Sequence, residues 1–227
     1  MSVRLHFIVE GQTEETFVNR VLSPHLVVLG IYGDARCVMT GRKRSAIHRG
    51  GVTSYGKVRN DIRRWMAEDG NSDARFTTMF DLYALPSDFP GRNEARGMTD
   101  PYEKVKRIES AMFNDLGDYR FIPHIQLHEF EALILADPGN LNIQFSESER
   151  AIRNLVTLTK SFDTPELIDE GAETSPSKRI IAEIPEYKGR KTSAGPIVVQ
   201  KIGLPTMRAK CPHFDGWITK LESLANG

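Results

Sequence analysis

From Val3 to Val9 the chain reads Val-Arg-Leu-His-Phe-Ile-Val, an alternation rich in β-formers that predicts a strand. Glu10-Gly11-Gln12 makes a turn, and Thr13 is placed to cap a helix whose first turn holds Glu14 and Glu15. Phe17, Val18, Val21, Leu22 and Leu26 then recur at helical spacing. Ala35 to Met39 predicts a shorter second strand, and Gly41 to Gly51 a basic, glycine-containing loop. Ser54 opens a helix with Val58, Ile62, Trp65 and Met66 on one face, and Phe76 to Leu82 is a third strand. The stretch 84–91 packs two prolines and a glycine together and excludes regular structure. Asp100-Pro101 starts a helix reaching about Asp115, Arg120 to Leu127 reads as a fourth strand, and His128 to Ala136 as helix. This order predicts an α/β fold, a mainly parallel sheet with helices on both faces. Beyond about Asp137 the strand signals fade. Ser146 to Lys160 and Pro212 to Ala225 read as helices between Pro and Gly breaks. The expected organisation is an α/β core over residues 1–140 and a helical extension over 141–227 packed on it.

Composition narrows the class. At 227 residues with 40% hydrophobic and 26% charged side chains, the chain can build a core without disulfide staples, which excludes wholesale disorder, collagen and coiled coil. No apolar run approaches the roughly 20 residues a bilayer requires, so no membrane partner is expected. The opening residues read as a strand and not as a signal peptide. Cys37 and Cys211 alone make neither a disulfide framework nor a zinc site, and a cytoplasmic location is the expectation. Thirty Lys and Arg balance thirty Asp and Glu, which argues against a bulk-electrostatic nucleic-acid binder. The charge is unevenly distributed, however. Arg36, Arg42, Lys43, Arg44, Arg49, Lys57, Arg59, Arg63 and Arg64 share their stretch with a single acid, Asp61.

The acids matter because ligands of open parallel sheets gather beyond the carboxyl ends of the strands. Glu10 closes the first strand and Asp81 the third; His128, Glu129 and Glu131 follow the fourth. Glu14 lies one helical turn past Glu10, and Asp88 sits in the loop after the third strand. Convergent carboxylates on rigid strand ends suit a hard divalent cation, Mg²⁺ or Mn²⁺, and the chain has no Cys/His cluster for a softer one. With Arg42, Lys43, Arg44 and Arg49 at the rim to hold phosphates, such a cluster suits a phosphodiester of DNA or RNA. Plainer roles compete. Glu14, Glu15 and Glu129 at helix starts serve the helix dipole, Asp81 can cap a turn, and His128 can be a hydrogen-bonded structural histidine.

Ile8-Val9-Glu10-Gly11-Gln12-Thr13-Glu14 resembles the opening motif of the Toprim fold, and Thr78-Met79-Phe80-Asp81 resembles its second acidic strand. The fuller set is similar to a Toprim-like bacterial family catalogued as domain of unknown function 4276, related to the Toprim domain of overcoming-lysogenisation-defect nucleases. It comprises Val9 to Glu15, Phe80 to Pro86 with Asp88-Phe89-Pro90-Gly91, Gln126 to Leu133, Pro176-Ser177-Lys178-Arg179 and Cys211 to Trp217. The resemblance implies a Mg²⁺-dependent phosphodiester site. Glu10 would be the first metal ligand or general acid/base and Asp81 the second, Glu14 would serve a second ion, and Lys178 would steady the scissile phosphate. Typical Toprim proteins read Asp-x-Asp at the second motif, whereas Tyr83 stands two residues after Asp81; Asp88, or Glu129 and Glu131, would have to supply the missing oxygens. The resemblance also implies an ATPase partner encoded by a neighbouring gene in an anti-phage defence system. This chain has no Gly-x-x-x-x-Gly-Lys-Ser/Thr loop of its own.

The leading expectation is a metal-dependent nuclease in which Glu10, Asp81, Glu129 and Lys178 do the chemistry. The alternative is a non-catalytic module that docks an ATPase or nucleic acid through the same acidic edge. Phosphotransfer on a small nucleotide is a third reading.

Overall fold

The structure is a computed structural model describing residues 2–43, 46–49, 52–168 and 173–226, with the backbone alone for 39–43 and 46–49. The chain divides into two compact units. One comprises Met1–Gln126 and Leu221–Gly227, the other Leu127–Lys220.

In the first unit, β1 (Val3–Val9) leads through Glu10 into α1 (Gln12–Phe17), which continues through a π turn, Val18–Leu22, into α2 (Ser23–Val27). The helix begins one residue before Thr13, with Gly11 in the capping position. Next, β2 (Ile31–Cys37) starts earlier than its hydrophobicity suggests, because Tyr32 and Asp34 face outward on this strand. The sequence predicts a basic loop over 41–51; the backbone instead forms an antiparallel pair, β3 (Met39–Lys43) and β4 (Ala46–Arg49). Too few apolar residues in this run display a period of two for a strand to be read there.

The helix α3 (Tyr55–Glu68) starts at Ser54, whose hydroxyl accepts the Lys57 N–H at 3.5 Å. β5 (Ala74–Asp81) follows, then the short α4 (Arg92–Ala95) and α5 (Pro101–Leu116). Asp100 caps α5 by accepting the Tyr102 N–H at 2.8 Å, and Gly117 ends it in the left-handed region at φ 65°. The expected fourth strand is split into β6 (Phe121–Ile122) and β7 (Ile125–Gln126). Pro123 interrupts it, since proline has no N–H to give the ladder. Thr78 bridges the gap: its hydroxyl accepts the His124 N–H and donates to the His124 carbonyl, both at 2.9 Å.

The sheet runs β2-β1-β5-β6, with β7 also on β5, and every pair is parallel. Phe7 and Ile8 are adjacent and point to opposite faces, yet both are fully buried, as are Met79 and Phe80 on β5. Both faces of the sheet are therefore covered, as a parallel α/β sheet requires. β1 lies between β2 and β5, so Glu10 emerges at the middle of the sheet's carboxyl edge.

The second unit is helical: α6 (Glu131–Ile134), α7 (Glu149–Thr159), α8 (Pro176–Glu183), α9 (Tyr187–Ile202), α10 (Leu204–Lys210) and the greater part of α11 (Pro212–Ser223). The helix expected over 128–136 shortens to α6. His128 takes φ 60°, the sole positive φ outside glycine among the described residues, and a helix cannot pass through it. Leu133, Leu155, Ile180, Ile184, Tyr187 and Val199 are buried in this unit. Among the described residues, no helix is long and apolar enough to cross a membrane.

Candidate metal centre

The register of the two central strands aligns Val9 with Met79. One residue further on, the Glu10 N–H donates to the Met79 carbonyl at 3.3 Å. The Asp81 N–H donates to Glu10 Oε2 at 3.4 Å. On its other side Asp81 pairs with Gln126 of β7. The ladder thus fixes the backbones carrying both carboxylates, and the Glu10 side chain folds across onto the end of β5. Carboxylate oxygens are the hard donors that divalent cations take.

Glu14 is brought to the same turn. It is buried in the first turn of α1, and its Oε2 accepts the N–H of Gly11, the residue after Glu10, at 2.9 Å. The hydrogen bond settles a donor that a helix start leaves open. Asp88 works elsewhere in this unit. Both of its oxygens accept the Tyr55 N–H, at 3.0 and 2.9 Å, so it clamps the start of α3.

The remaining acids belong to the second unit. Glu129 Oε2 accepts the Ser177 N–H at 2.8 Å in the first turn of α8. Lys178 is the next residue, half-exposed, with its Nζ 3.9 Å from Glu173. One helix start therefore carries Lys178 and anchors Glu129. Glu131 is buried, with Lys191 Nζ at 3.2 Å and the Tyr187 hydroxyl donating to it, also at 3.2 Å. Burial pushes its carboxyl above the ordinary range; the Lys191 charge pulls against this, and Glu129 adds repulsion.

Glu10, Glu14 and Asp81 thus belong to one unit, and Glu129, Glu131 and Lys178 to the other. Arg42, Lys43 and Arg49 lie on the paired backbone of β3 and β4. Their side chains, and the whole of Arg44, fall outside the described residues. Sequence reasoning misses Lys191 and Tyr187. Their signal is a four-residue spacing on one helix, which puts both on the same face.

The C-terminal region of the Burkholderia pseudomallei OLD protein is a structural neighbour at TM-score 0.47 and 11% identity, covering 99% of this chain and 100% of that one. The C-terminal region of the Xanthomonas campestris pv. campestris OLD protein follows at TM-score 0.40 and 15% identity, covering 96% of this chain and 97% of that one. No curated protein matches. The motifs from Val9 onward do find a family model, which runs from residue 9 to residue 222 and so takes in both acidic sets. The chain belongs to the family described as Domain of unknown function (DUF4276).

Proposed function

We propose that this protein is a nuclease-like module that cleaves phosphodiester bonds of DNA or RNA with Mg²⁺ or Mn²⁺. The observation that carries the reading is the hydrogen bond from the Asp81 N–H to Glu10 Oε2, which joins two acids at the ends of adjacent parallel strands. Toprim-like membership, resting on the sequence motifs, supports the same assignment.

Glu10 and Asp81 would hold the ion, and Glu14, which accepts the Gly11 N–H, would serve a second. A bound divalent ion supplies Lewis acidity, an activated water and neutralisation of charge on the leaving oxygen. The protein's own groups do the rest. By the family resemblance Lys178 would steady the scissile phosphate, and Glu129, held by the Ser177 amide, would be the further acid. Glu131, paired with Lys191, orders the segment that carries Glu129. Arg42, Lys43, Arg44 and Arg49 hold the flanking backbone. An ATPase made by a neighbouring gene, in a cytoplasmic defence system, is the partner consistent with the family resemblance.

The test is cleavage of labelled DNA and RNA by purified protein with Mn²⁺. Glu10→Ala and Asp81→Ala should each abolish it while circular dichroism stays unchanged. Parental rates in both variants would sink the reading.

Tyr83 favours a second reading, a non-catalytic docking module. It stands exposed where typical Toprim proteins have an acid, and Asp88 clamps α3. Calorimetric titration with Mn²⁺ separates the two: heat that vanishes in Glu10→Ala belongs to a metal centre, and no heat in the parent belongs to the module.

A further inference from the structure

A basic groove lies beside the β5 end of the proposed centre. A cavity of about 310 Å³ is lined by Ser87, Arg92, Asn93, Arg96 and Lys104, with Ala95 and Ile108 as its apolar part. Three cations face it and no acid lines it. Two acids on the same helices are engaged elsewhere: Glu94 with Arg107 at 3.8 Å and Glu103 with Lys106 at 3.3 Å. Among the described residues, none of Arg92, Arg96 and Lys104 stands within salt-bridge distance of a carboxylate. Like charges that converge without compensation repel one another, an arrangement suited to an anion.

The groove is built, not incidental. Arg92 Nη1 donates to the carbonyl of Leu82, the residue after Asp81, at 3.4 Å. The loop between them is pinned at three points. Asp88 holds the Tyr55 amide, and Phe89 is buried with its ring 5.0 Å from Tyr55 and 6.3 Å from Phe80. Gly91 sits at φ 77°, so close to α5 that a Cβ would fall 2.9 Å from the Ala111 Cβ and from the Arg107 carbonyl. The loop therefore fixes Arg92 next to Asp81, and α5 presents Lys104 across the cavity.

We infer that this groove binds the sugar-phosphate backbone of a nucleic-acid strand, taking the phosphates next to the one cleaved. The inference rests on the nuclease reading and specifies its substrate as a polymer. Spaced cations with polar Ser87 and Asn93 between them suit successive phosphates and carry no base readout.

Fluorescence anisotropy of labelled dT and rU 20-mers, in EDTA so that no cleavage is needed, tests it. The double variant Arg96→Gln/Lys104→Gln should weaken binding at least tenfold and reduce the log–log salt slope by about 1.4, roughly 0.7 for each phosphate of a single strand that is no longer neutralised. Lys106→Gln, a neighbouring exposed lysine, should leave both unchanged, and thermal melts confirm that the variants fold. Arg96→Glu should weaken binding further. Parental affinity and slope in the double variant would overturn the groove. So would competition by inorganic phosphate at concentrations as low as those of the 20-mer, since the site would then be built for a small anion. If the groove variants lose binding while the parent never cuts, the groove stands and the nuclease reading falls.

Discussion

Asp88 grips Tyr55 with both carboxylate oxygens, each accepting the one backbone N–H that opens α3. Asp88→Ala removes this clamp and should cost about 1 kcal/mol, the usual worth of a helix-capping side chain, read by urea denaturation. Asp88→Asn keeps an acceptor and loses the charge. It should retain most of the stability, so a loss of cleavage in that variant alone would mark a metal role in place of the clamp.

Gly91→Ala should destabilise by about 2 kcal/mol, since a left-handed backbone alone costs an alanine roughly 1–2 kcal/mol. The Ala111 and Arg107 atoms at 2.9 Å leave no room for the methyl group, so α4 must shift from α5. Denaturation measures the cost. Oligonucleotide affinity should fall with it, because the same shift moves Arg92.

His6 supplies the pH dependence. Its Nδ1 lies 2.5 Å from Asp34 and its Nε2 3.0 Å from Asp69, and only the doubly protonated ring can donate to both. The Asp34 hydrogen bond raises the His6 pKa against the effect of burial, with Asp69 assisting. Arg4 first, then His6, holds the Asp69 carboxyl well below its usual range. Burial works against the Asp34 carboxylate, but His6 and Arg36 outweigh it. Glu68 and Asp73 complete the charged surroundings, on Arg36 and Arg4 respectively. A raised imidazole pKa stabilises fully below about pH 6.5, and that share is lost as pH rises through the folded value. The lowered carboxyls stabilise above about pH 4 and are lost as pH falls through theirs. Melting temperature should therefore peak between those limits, and His6→Gln should flatten the alkaline fall.

Lys191→Met strands Glu131 in the interior. The lysine is about one-third exposed, so the cost should be about 1–3 kcal/mol, short of the 3–5 kcal/mol of a wholly buried pair. Glu131→Gln/Lys191→Met should recover much of it, because no charge is left uncompensated. A double variant no better than the single one would argue that packing, and not charge, is what Lys191 provides.

Elements with strong periodicity were legible in the chain. The alternation at β1 and the apolar faces of α3 and α5 announce themselves, and Asp100-Pro101 marks a helix start within one residue. Glu10 and Asp81 were legible as acids closing apolar strands, and a hydrogen bond joins the two residues. What stayed hidden depends on partners remote in sequence or on single backbone angles. Thr78 bridging the broken strand at His124, the Glu131–Lys191 pair sixty residues apart and the φ of His128 have no local signature. The β3–β4 pair was masked by its own cations, which read as a loop. Arg92, Arg96 and Lys104 escaped notice because their charges are scattered along the chain and meet only once the loop is folded.

The first unit draws residues from both sides of the second, and His25 bonds Glu222 at 2.7 Å within it. On the ribosome, the three-strand nucleus of β1, β2 and β5 is available early, but the unit is completed only when residues beyond 220 have emerged. A unit closed in that order gains its His25–Glu222 bond only after the whole of the second unit has been made.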